Sequence, residues 1–289
     1  MTLRNICILP LALALVSLAN GQLATSLKLS KSQYVAGEPV TAVVTITNHS
    51  GQELTFASDG RTQWLDFIMK DRHDESATPR GKAIFGKMTL HAGETMAREV
   101  DLSQSFQLSE PGNFSVSAVV HMPGNAMEGA STNRVLFNQS PGVLYWSQKV
   151  GLPSKPGQMR EFRVLTFSGD QKTQIYAQIN DSRTGQNVRT FLLGDVLLLR
   201  KPLVTIDREQ RLNLMFLATP TMWVHCQIDT DGRLVNRQIH QRGPQGDPQL
   251  MTLPDGTVNV ANSIPFDPTA AAEERAKIHK LSDRPAMVY

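Results

Sequence analysis

Two histidines and two aspartates form the most site-like group in the sequence. Asp229 and Asp231 stand in an Asp-Thr-Asp-Gly turn, and His225 and His240 lie on the two arms of the hairpin that this turn predicts. If the turn centres on Asp231, the two imidazoles come nearly opposite each other and could share a metal ion. Zinc needs three or four ligands, and the sequence identifies no third one. A pair of half-exposed cross-strand histidines is therefore the favoured interpretation.

The two aspartates could also begin a calcium-binding loop of the EF-hand type. Such a loop requires a further oxygen ligand before its glycine and a glutamate near its end, but Arg233 and Arg237 occupy the region where acids would help. An Asp-Gly hairpin turn explains the aspartates better. The two aspartates and the two histidines remain weak candidates for a metal site, and we predict no cofactor.

Other residues with chemical potential are better explained as core. No nucleophile elbow, zinc-protease motif or phosphate-binding loop occurs. Cys226 is flanked by Val224 and Ile228 in strand-like alternation, which predicts a buried and inert thiol. Four aromatic residues could stack on a sugar, although aromatics in alternating strands are more typical of a core: Trp64, Tyr145, Trp146 and Trp223.

The first 21 residues are typical of a secretory signal peptide. Met1 to Asn5 carries one positive charge, Ile6 to Leu18 is a short apolar run, and small residues follow, which predicts cleavage after Ala19 or Gly21. The apolar run is shorter than the roughly 20 residues of a membrane-spanning helix. We therefore expect an exported protein, periplasmic or extracellular, with no stable membrane span once the leader, residues 1–21, is removed.

Composition limits the partners of the mature chain. Its net charge falls from +3 to +2 when the leader with Arg4 is removed, which is too small a charge to indicate nucleic acid. Cys7 leaves with the leader, so Cys226 stands alone and no internal disulfide is expected. Four Asn-x-Ser triplets would be glycan acceptors in a eukaryotic secretory pathway: Asn48, Asn113, Asn138 and Asn180.

The elements that carry these residues are predicted to be β-strands. The stretch from Tyr34 to Phe56 alternates apolar and polar residues between two polar turns, which indicates strands with one face in a core. Seven or eight short strands, spaced by Gly and Pro turns, continue to about residue 150. This spacing predicts an antiparallel β-sandwich over residues 23–150.

A family resemblance rests on particular turns in this first half. The residues Tyr34–Val40, Asn48 at the end of the next strand, and Glu110–Phe114 resemble the Ig-like sandwich modules of secreted bacterial proteins. They are similar to macroglobulin-type domains and to a small bacterial proteinase inhibitor. The resemblance covers the N-terminal half of the mature chain and implies a fold. It transfers no inhibitory loop, and the Gly-Cys-Gly-Glu-Gln of a thioester is absent.

A second β-rich domain is predicted beyond a linker. Residues 151–157 are rich in Pro, Gly and Ser, which is typical of a linker. About ten strands over 158–265 are separated by turns in the manner of propeller blades, but they are too few for a closed propeller. An open meander or a second sandwich is expected. Asp267 and Pro268 predict the start of a short helix, followed by a mobile tail, within 266–289.

These features predict an all-β, exported, non-catalytic protein that recognises an envelope protein or a glycan. The alternative is a secreted hydrolase or protease inhibitor whose working residues lie on loops of the second domain. The first function predicts a flat surface with an exposed aromatic or apolar patch. The second predicts a deep pocket in which acids or histidines converge.

Overall fold

The computed structural model describes residues 22–58, 62–81, 84–169, 172–267 and 269–273. Its secondary structure is almost entirely β, arranged in several open sheets, with one short helix near the C-terminus. The predicted all-β fold class is thereby confirmed. The predicted leader lies outside the described residues. Among the described residues, no helix is long and apolar enough to cross a lipid bilayer.

In the described part of the first unit there are ten strands and one 3-10 turn, Leu102–Gln104. The strands are β1 (Leu23–Leu29), β2 (Gln33–Val35), β3 (Thr41–Asn48), β4 (Leu54–Phe56), β5 (Leu65–Asp71), β6 (Met88–Leu90), β7 (Thr95–Asp101), β8 (Gly112–Met122), β9 (Asn125–Ser131) and β10 (Val135–Ser140).

Two sheets of the first unit enclose its core. The order β1-β3-β7 forms one sheet, the order β2-β10-β8-β5 forms the other with β9 beside β8, and β4 pairs with β6. All pairs are antiparallel except β2 with β10. Ala42, Val44 and Ile46 on β3 are completely buried while their neighbours in the chain are partly exposed. The alternation read from the sequence therefore fixes which face of β3 meets the core.

The described residues of the second unit form eleven strands. They are β11 (Val143–Leu152), β12 (Lys155–Ser168), β13 (Thr173–Asp181), β14 (Asn187–Asp195), β15 (Leu203–Ile206), β16 (Leu212–Thr219), β17 (Met222–Ile228), β18 (Leu234–Arg242), β19 (Gln249–Thr252), β20 (Val258–Ala261) and β21 (Ser263–Pro265).

The second unit consists of two meandering sheets that share one core. The first sheet has the order β11-β12-β13-β14 and the second has the order β15-β16-β17-β18-β21. Phe162 and Ile179 from the first sheet and Phe216 and Cys226 from the second belong to the same buried cluster. The Cys226 thiol is buried, and burial raises its pKa to about 11, so it is held as an unreactive thiol.

The chain passes between the units earlier than the predicted linker. Leu152 ends β11 and Lys155 begins β12, so residues 151–157 lie in and around a hairpin turn within one sheet. Val143 and its neighbours, which the sequence assigned to the first domain, pair with β12 in the second unit. Pro141 and Gly142 form the connection. A Pro/Gly/Ser composition suits a tight turn as well as a linker, which explains the difference.

The sheet β11-β12-β13-β14 is covered on both faces. Ile175 and Ala177 on β13 point into the core of the second unit. Tyr176, between them in the chain, packs instead against Val35 of the first unit. Gln178 donates from Nε2 to the carbonyl of Ala36 at 3.3 Å. One sheet therefore serves as a shared wall for the two units.

A charged group is buried where the units meet. Glu38 is 5% exposed and forms an ion pair with Lys31. The Lys31 ammonium lies 5.6 Å from the ring centroids of both Tyr34 and Tyr176, which permits a cation–π contact on each side. The second carboxylate oxygen of Glu38 accepts from the Val35 amide at 3.1 Å. The turn predicted at Gly37–Pro39 thus anchors the junction.

The C-terminal helix begins where the sequence predicts it. Residues 269–273 are helical, and the carboxylate of Asp267 accepts from the amides of Thr269 at 2.8 Å and Ala270 at 3.3 Å. This is the geometry of an N-cap. Pro268, the continuation of the helix and the predicted mobile tail lie outside the described residues.

Candidate functional site

The two predicted aspartates serve the turn and lie apart from the histidines. Asp229 Oδ1 accepts from the amides of Asp231 at 3.0 Å and Arg233 at 2.8 Å, which closes the turn between β17 and β18. Asp229 follows His225 by four residues, a strand distance of about 13 Å. Within the described ranges, no group of three or more His, Cys, Asp or Glu residues is placed to hold a metal ion. The aspartates therefore belong to the hairpin turn.

The two histidines come together on one face of the second sheet, but they are buried. Their ring centroids are 6.2 Å apart, and each residue is 3% exposed. They lie diagonally rather than opposite each other, because the strand register pairs His240 with Trp223 and His225 with Gln238. The expectation of half-exposed histidines was wrong. Leu250 of β19 and Val260 of β20 pack over this face and exclude water from it.

A polar chain fixes the orientation of the His225 ring. Asp207 is 4% exposed, and its carboxylate accepts from the Arg211 guanidinium at 2.8 Å and from Asn213 Nδ2 at 3.3 Å. Since a carboxylate only accepts, the amide oxygen of Asn213 must point away from it. That oxygen accepts from Gln227 Nε2 at 2.9 Å and lies 3.2 Å from His225 Nε2. His225 therefore carries its proton on Nε2.

Burial keeps both histidines neutral, because it lowers their pKa values. Burial, and next the nearby His240, lower the pKa of His225 to about 4. Burial also lowers the pKa of His240. Burial would raise the pKa of Asp207, but hydrogen bonds from Arg211 and Asn213 outweigh it and lower that pKa. Near neutral pH, the carboxylate is charged and both imidazoles carry a free lone pair.

One nitrogen on each ring remains without a partner among the described residues. His240 Nδ1 lies 3.1 Å from Ser263 Oγ, which leaves His240 Nε2 buried and unbonded. His225 Nδ1 is likewise buried and unbonded. Buried polar atoms without a hydrogen bond are rare and call for an explanation.

A separate polar cleft opens between the two units; we call it the junction cleft. It has two lobes, with volumes of about 500 Å³ and 450 Å³, that share the side chains of Gln107, Ser109, Gln186 and Asn187. Its walls come from the first unit, from the β13–β14 hairpin and, in the second lobe, from β11 and β12. The lining therefore offers both donors and acceptors on both sides.

One arginine offers a positive charge to the first lobe. Arg80 lines this lobe, is exposed and forms no ion pair with another described residue, whereas the Arg189 side chain lies on the other face of β14, with its guanidinium over the Phe191 ring. Asp101 is the one carboxylate among the described residues that line this lobe, and its oxygens accept from the amide and hydroxyl of Ser103 and from Gln104. The carboxylate is thus engaged in capping a turn. The Arg80 guanidinium is therefore available to bind an anion.

Backbone geometry holds the two walls close together. Gly37 has a φ of +83°, and its amide donates to the Leu108 carbonyl at 2.8 Å. A Cβ at this position would lie 2.8 Å from Asn187 Oδ1 and 2.9 Å from Thr190 Oγ1. Only glycine fits both the backbone conformation and the close approach.

Sequence reasoning missed the junction cleft because its residues come from separate turns. The aromatics that were considered for sugar stacking lie elsewhere: Trp64 and Trp223 are 3% and 4% exposed in apolar clusters, and Tyr145 donates to the Pro202 carbonyl at 2.8 Å. One sequence feature that falls in the cleft is the Asn-x-Ser triplet at Asn180. Asn180 is 8% exposed and lines the second lobe, so it is a structural asparagine of the cleft.

Comparison with known proteins adds little to these observations. No protein-family model matches the chain. No curated protein matches it either. Among solved structures, the chain is similar to Spo0M, a sporulation control protein from Bacillus subtilis, at 13% identity and a TM-score of 0.28, over 58% of this chain and 83% of that one. A similarity this weak carries no argument, so function is argued from the residues.

Proposed function

We propose that this chain is an exported, non-catalytic binding protein that recognises an acidic glycan in the junction cleft. The observation that carries the proposal is the lining of the cleft: amides and hydroxyls on both walls, with the guanidinium of Arg80, which has no ion-pair partner among the described residues, at one end. Side-chain amides suit sugar hydroxyls because each can donate and accept. Guanidinium groups suit a carboxylate or sulfate on the sugar.

The junction favours recognition because it fixes the walls before a ligand arrives. The buried pair of Glu38 and Lys31 and the close packing at Gly37 hold the first unit against β14. A ligand that enters such a cleft orders few protein groups, which lowers the entropic cost of binding.

Export and the Ig-like family of the first unit are parts of the same proposal. The leader pattern of residues 1–21 supports export, and β1 begins at Leu23, so cleavage after Ala19 or Gly21 leaves every described strand intact. Mass spectrometry of protein secreted with its own leader should find Asn20 or Gln22 at the N-terminus. A retained Met1 would contradict cleavage.

The alternative, a secreted hydrolase or inhibitor, has less support. The described lining of each lobe contains one carboxylate, Asp101 or Glu110, and no histidine. General acid–base chemistry on a sugar or peptide requires a second titratable group within reach. Binding without turnover is therefore the function that the cleft supports best.

Calorimetric titration with defined oligosaccharides tests the proposal. Acidic oligomers, such as oligogalacturonate and sulfated oligosaccharides, are compared with neutral ones of the same length. We expect binding of the acidic series that weakens as salt is added, because salt screens exposed charges. The variant Arg80→Gln should lose about tenfold in affinity, as expected when a charge-assisted hydrogen bond is removed.

A matched control removes a positive charge elsewhere. Arg98 is exposed on β7 and does not line the cleft. Arg98→Gln should bind acidic oligomers as the parent protein does. Equal binding of neutral and acidic oligomers, or equal losses in the control and in Arg80→Gln, would overturn the acidic-glycan proposal.

A further inference from the structure

The covered face of the second sheet presents a compact set of soft donor atoms. Met215 on β16 lies directly opposite His225 on β17, and Trp223 lies directly opposite His240 on β18. Side chains of such cross-strand pairs stand side by side on one face, with Cβ atoms about 5 Å apart. Met215 is fully buried. A thioether therefore stands next to the His225 imidazole.

The free nitrogens of the two histidines carry lone pairs. The hydrogen bonds that link Asp207 to Asn213 and Asn213 to His225 fix the proton of His225 on Nε2. His225 Nδ1 is therefore a buried acceptor without a partner. Ser263 can accept from His240 Nδ1, which leaves His240 Nε2 as a second buried acceptor without a partner. A metal-binding histidine typically has this arrangement, with one nitrogen on a polar partner and the other on the metal.

The spacing of the rings suits a single ion. With metal–nitrogen bonds of about 2 Å, two imidazoles that face one ion have centroids roughly 6 Å apart. The centroids of His225 and His240 are 6.2 Å apart. A direct hydrogen bond between the rings is not formed.

The chemistry of the donors selects the metal. Imidazole and thioether are soft to borderline ligands that suit Cu(I). The Asp207 carboxylate is engaged by Arg211 and Asn213, and the Cys226 thiol points into the core on the opposite face of β17. Hard cations and zinc thus lack the oxygen or thiolate ligands they require. An apolar surrounding also favours a single positive charge over a double one.

We propose that His225 Nδ1 and His240 Nε2 bind one Cu(I) ion, with the Met215 thioether as the adjacent third donor. This site lies on the covered face of β16–β18, apart from the junction cleft, and does not depend on the proposed glycan recognition. The β19–β20 hairpin that covers it must open for copper to enter, so loading is slow and the bound ion is protected from water.

Anaerobic titration of the full mature chain with Cu(I), against a chromogenic Cu(I) chelator, tests the site. The parent protein should bind one equivalent once equilibrium is reached. His225→Gln and His240→Gln should each weaken binding by about tenfold or more, and Met215→Leu by less, since it removes the weakest donor. His91→Gln is the control, because His91 is an exposed histidine outside the cluster. It should bind as the parent does.

Copper K-edge X-ray absorption of the loaded parent protein keeps the test independent of the variants. Two imidazole scatterers with one sulfur scatterer would support the site, and failure of a variant to fold would not affect this measurement. The proposal is overturned if the parent binds no Cu(I) in competition with the chelator. It is also overturned if the absorption spectrum lacks imidazole or if the two folded histidine variants retain parental affinity.

Discussion

Substitution of Gly37 by alanine is expected to loosen the junction between the units. The added Cβ would lie 2.8 Å from Asn187 Oδ1 and 2.9 Å from Thr190 Oγ1, and the backbone would keep a φ of +83° that alanine disfavours. Gly51 provides a matched comparison, because its φ is +75° and nothing lies within 4 Å of a Cβ built there. The two variants share the backbone penalty and differ in the clash.

The two contributions can be estimated separately. A left-handed conformation costs alanine roughly 1–2 kcal/mol relative to glycine. Overpacking at a close contact adds about 1–3 kcal/mol. The clash also displaces Asn187, whose Nδ2 donates to Thr190 Oγ1 at 2.8 Å and to Asn180 Oδ1 at 3.2 Å. Gly37→Ala should therefore lose about 2 kcal/mol more unfolding free energy than Gly51→Ala.

Thermal unfolding followed by circular dichroism measures the difference. For a chain of this size, 2 kcal/mol corresponds to a decrease in melting temperature of roughly 4–8 °C. Because Asn187 lines both lobes of the junction cleft, Gly37→Ala should also weaken binding of acidic oligosaccharides, while Gly51→Ala leaves it unchanged. Equal melting temperatures for the two variants would refute the close packing of this turn on β14.

Three further substitutions test buried polar groups. Glu38→Gln should cost about 2 kcal/mol by urea denaturation, because it leaves the partly buried Lys31 without its counter-charge; an unchanged midpoint would contradict that role. The pKa of His225 is lowered to about 4 on folding, so its contribution to stability is complete above the unfolded pKa of about 6.5 and is lost as pH falls from there towards 4. Between pH 7.5 and 4.5 the parent should lose about 2–3 kcal/mol more than His225→Gln, and parallel pH profiles would argue against a buried neutral ring. Asn48 is fully buried and donates from Nδ2 to three carbonyls, so Asn48→Asp should cost about 3 kcal/mol or more, whereas Asn113→Asp at the surface should be nearly silent in the same assay.

Strand positions were predictable because alternation reports directly on one buried face. The stretch from Tyr34 to Phe56 was predicted to form strands between two polar turns, and β3 and β4 lie within it. The pattern is reliable there because one face packs on the core and the other meets water. Where both faces are covered, as in β13 and β16, the burial does not alternate.

Burial of the histidines could not be predicted from their own strands. His225 and His240 stand on the face of the second sheet that points away from its core, and that face would be exposed without the β19–β20 hairpin. The hairpin follows β18 in the chain, and the residues around the two histidines do not indicate that it folds back over them. The junction cleft was hidden for a similar reason, since Arg80, Gln107 and Asn187 line one cleft only when the two units pack together.

The shared wall between the units has a consequence for the order in which the chain becomes folded. The first unit is completed at Ser140, before any strand of the wall has been synthesised. In the folded protein, Val35 is fully covered by Leu165 and Tyr176. It is therefore exposed at the edge of the first unit until these two residues have been synthesised and packed against it. During synthesis this short apolar edge is the surface at which a holding chaperone would act and at which premature self-association would begin.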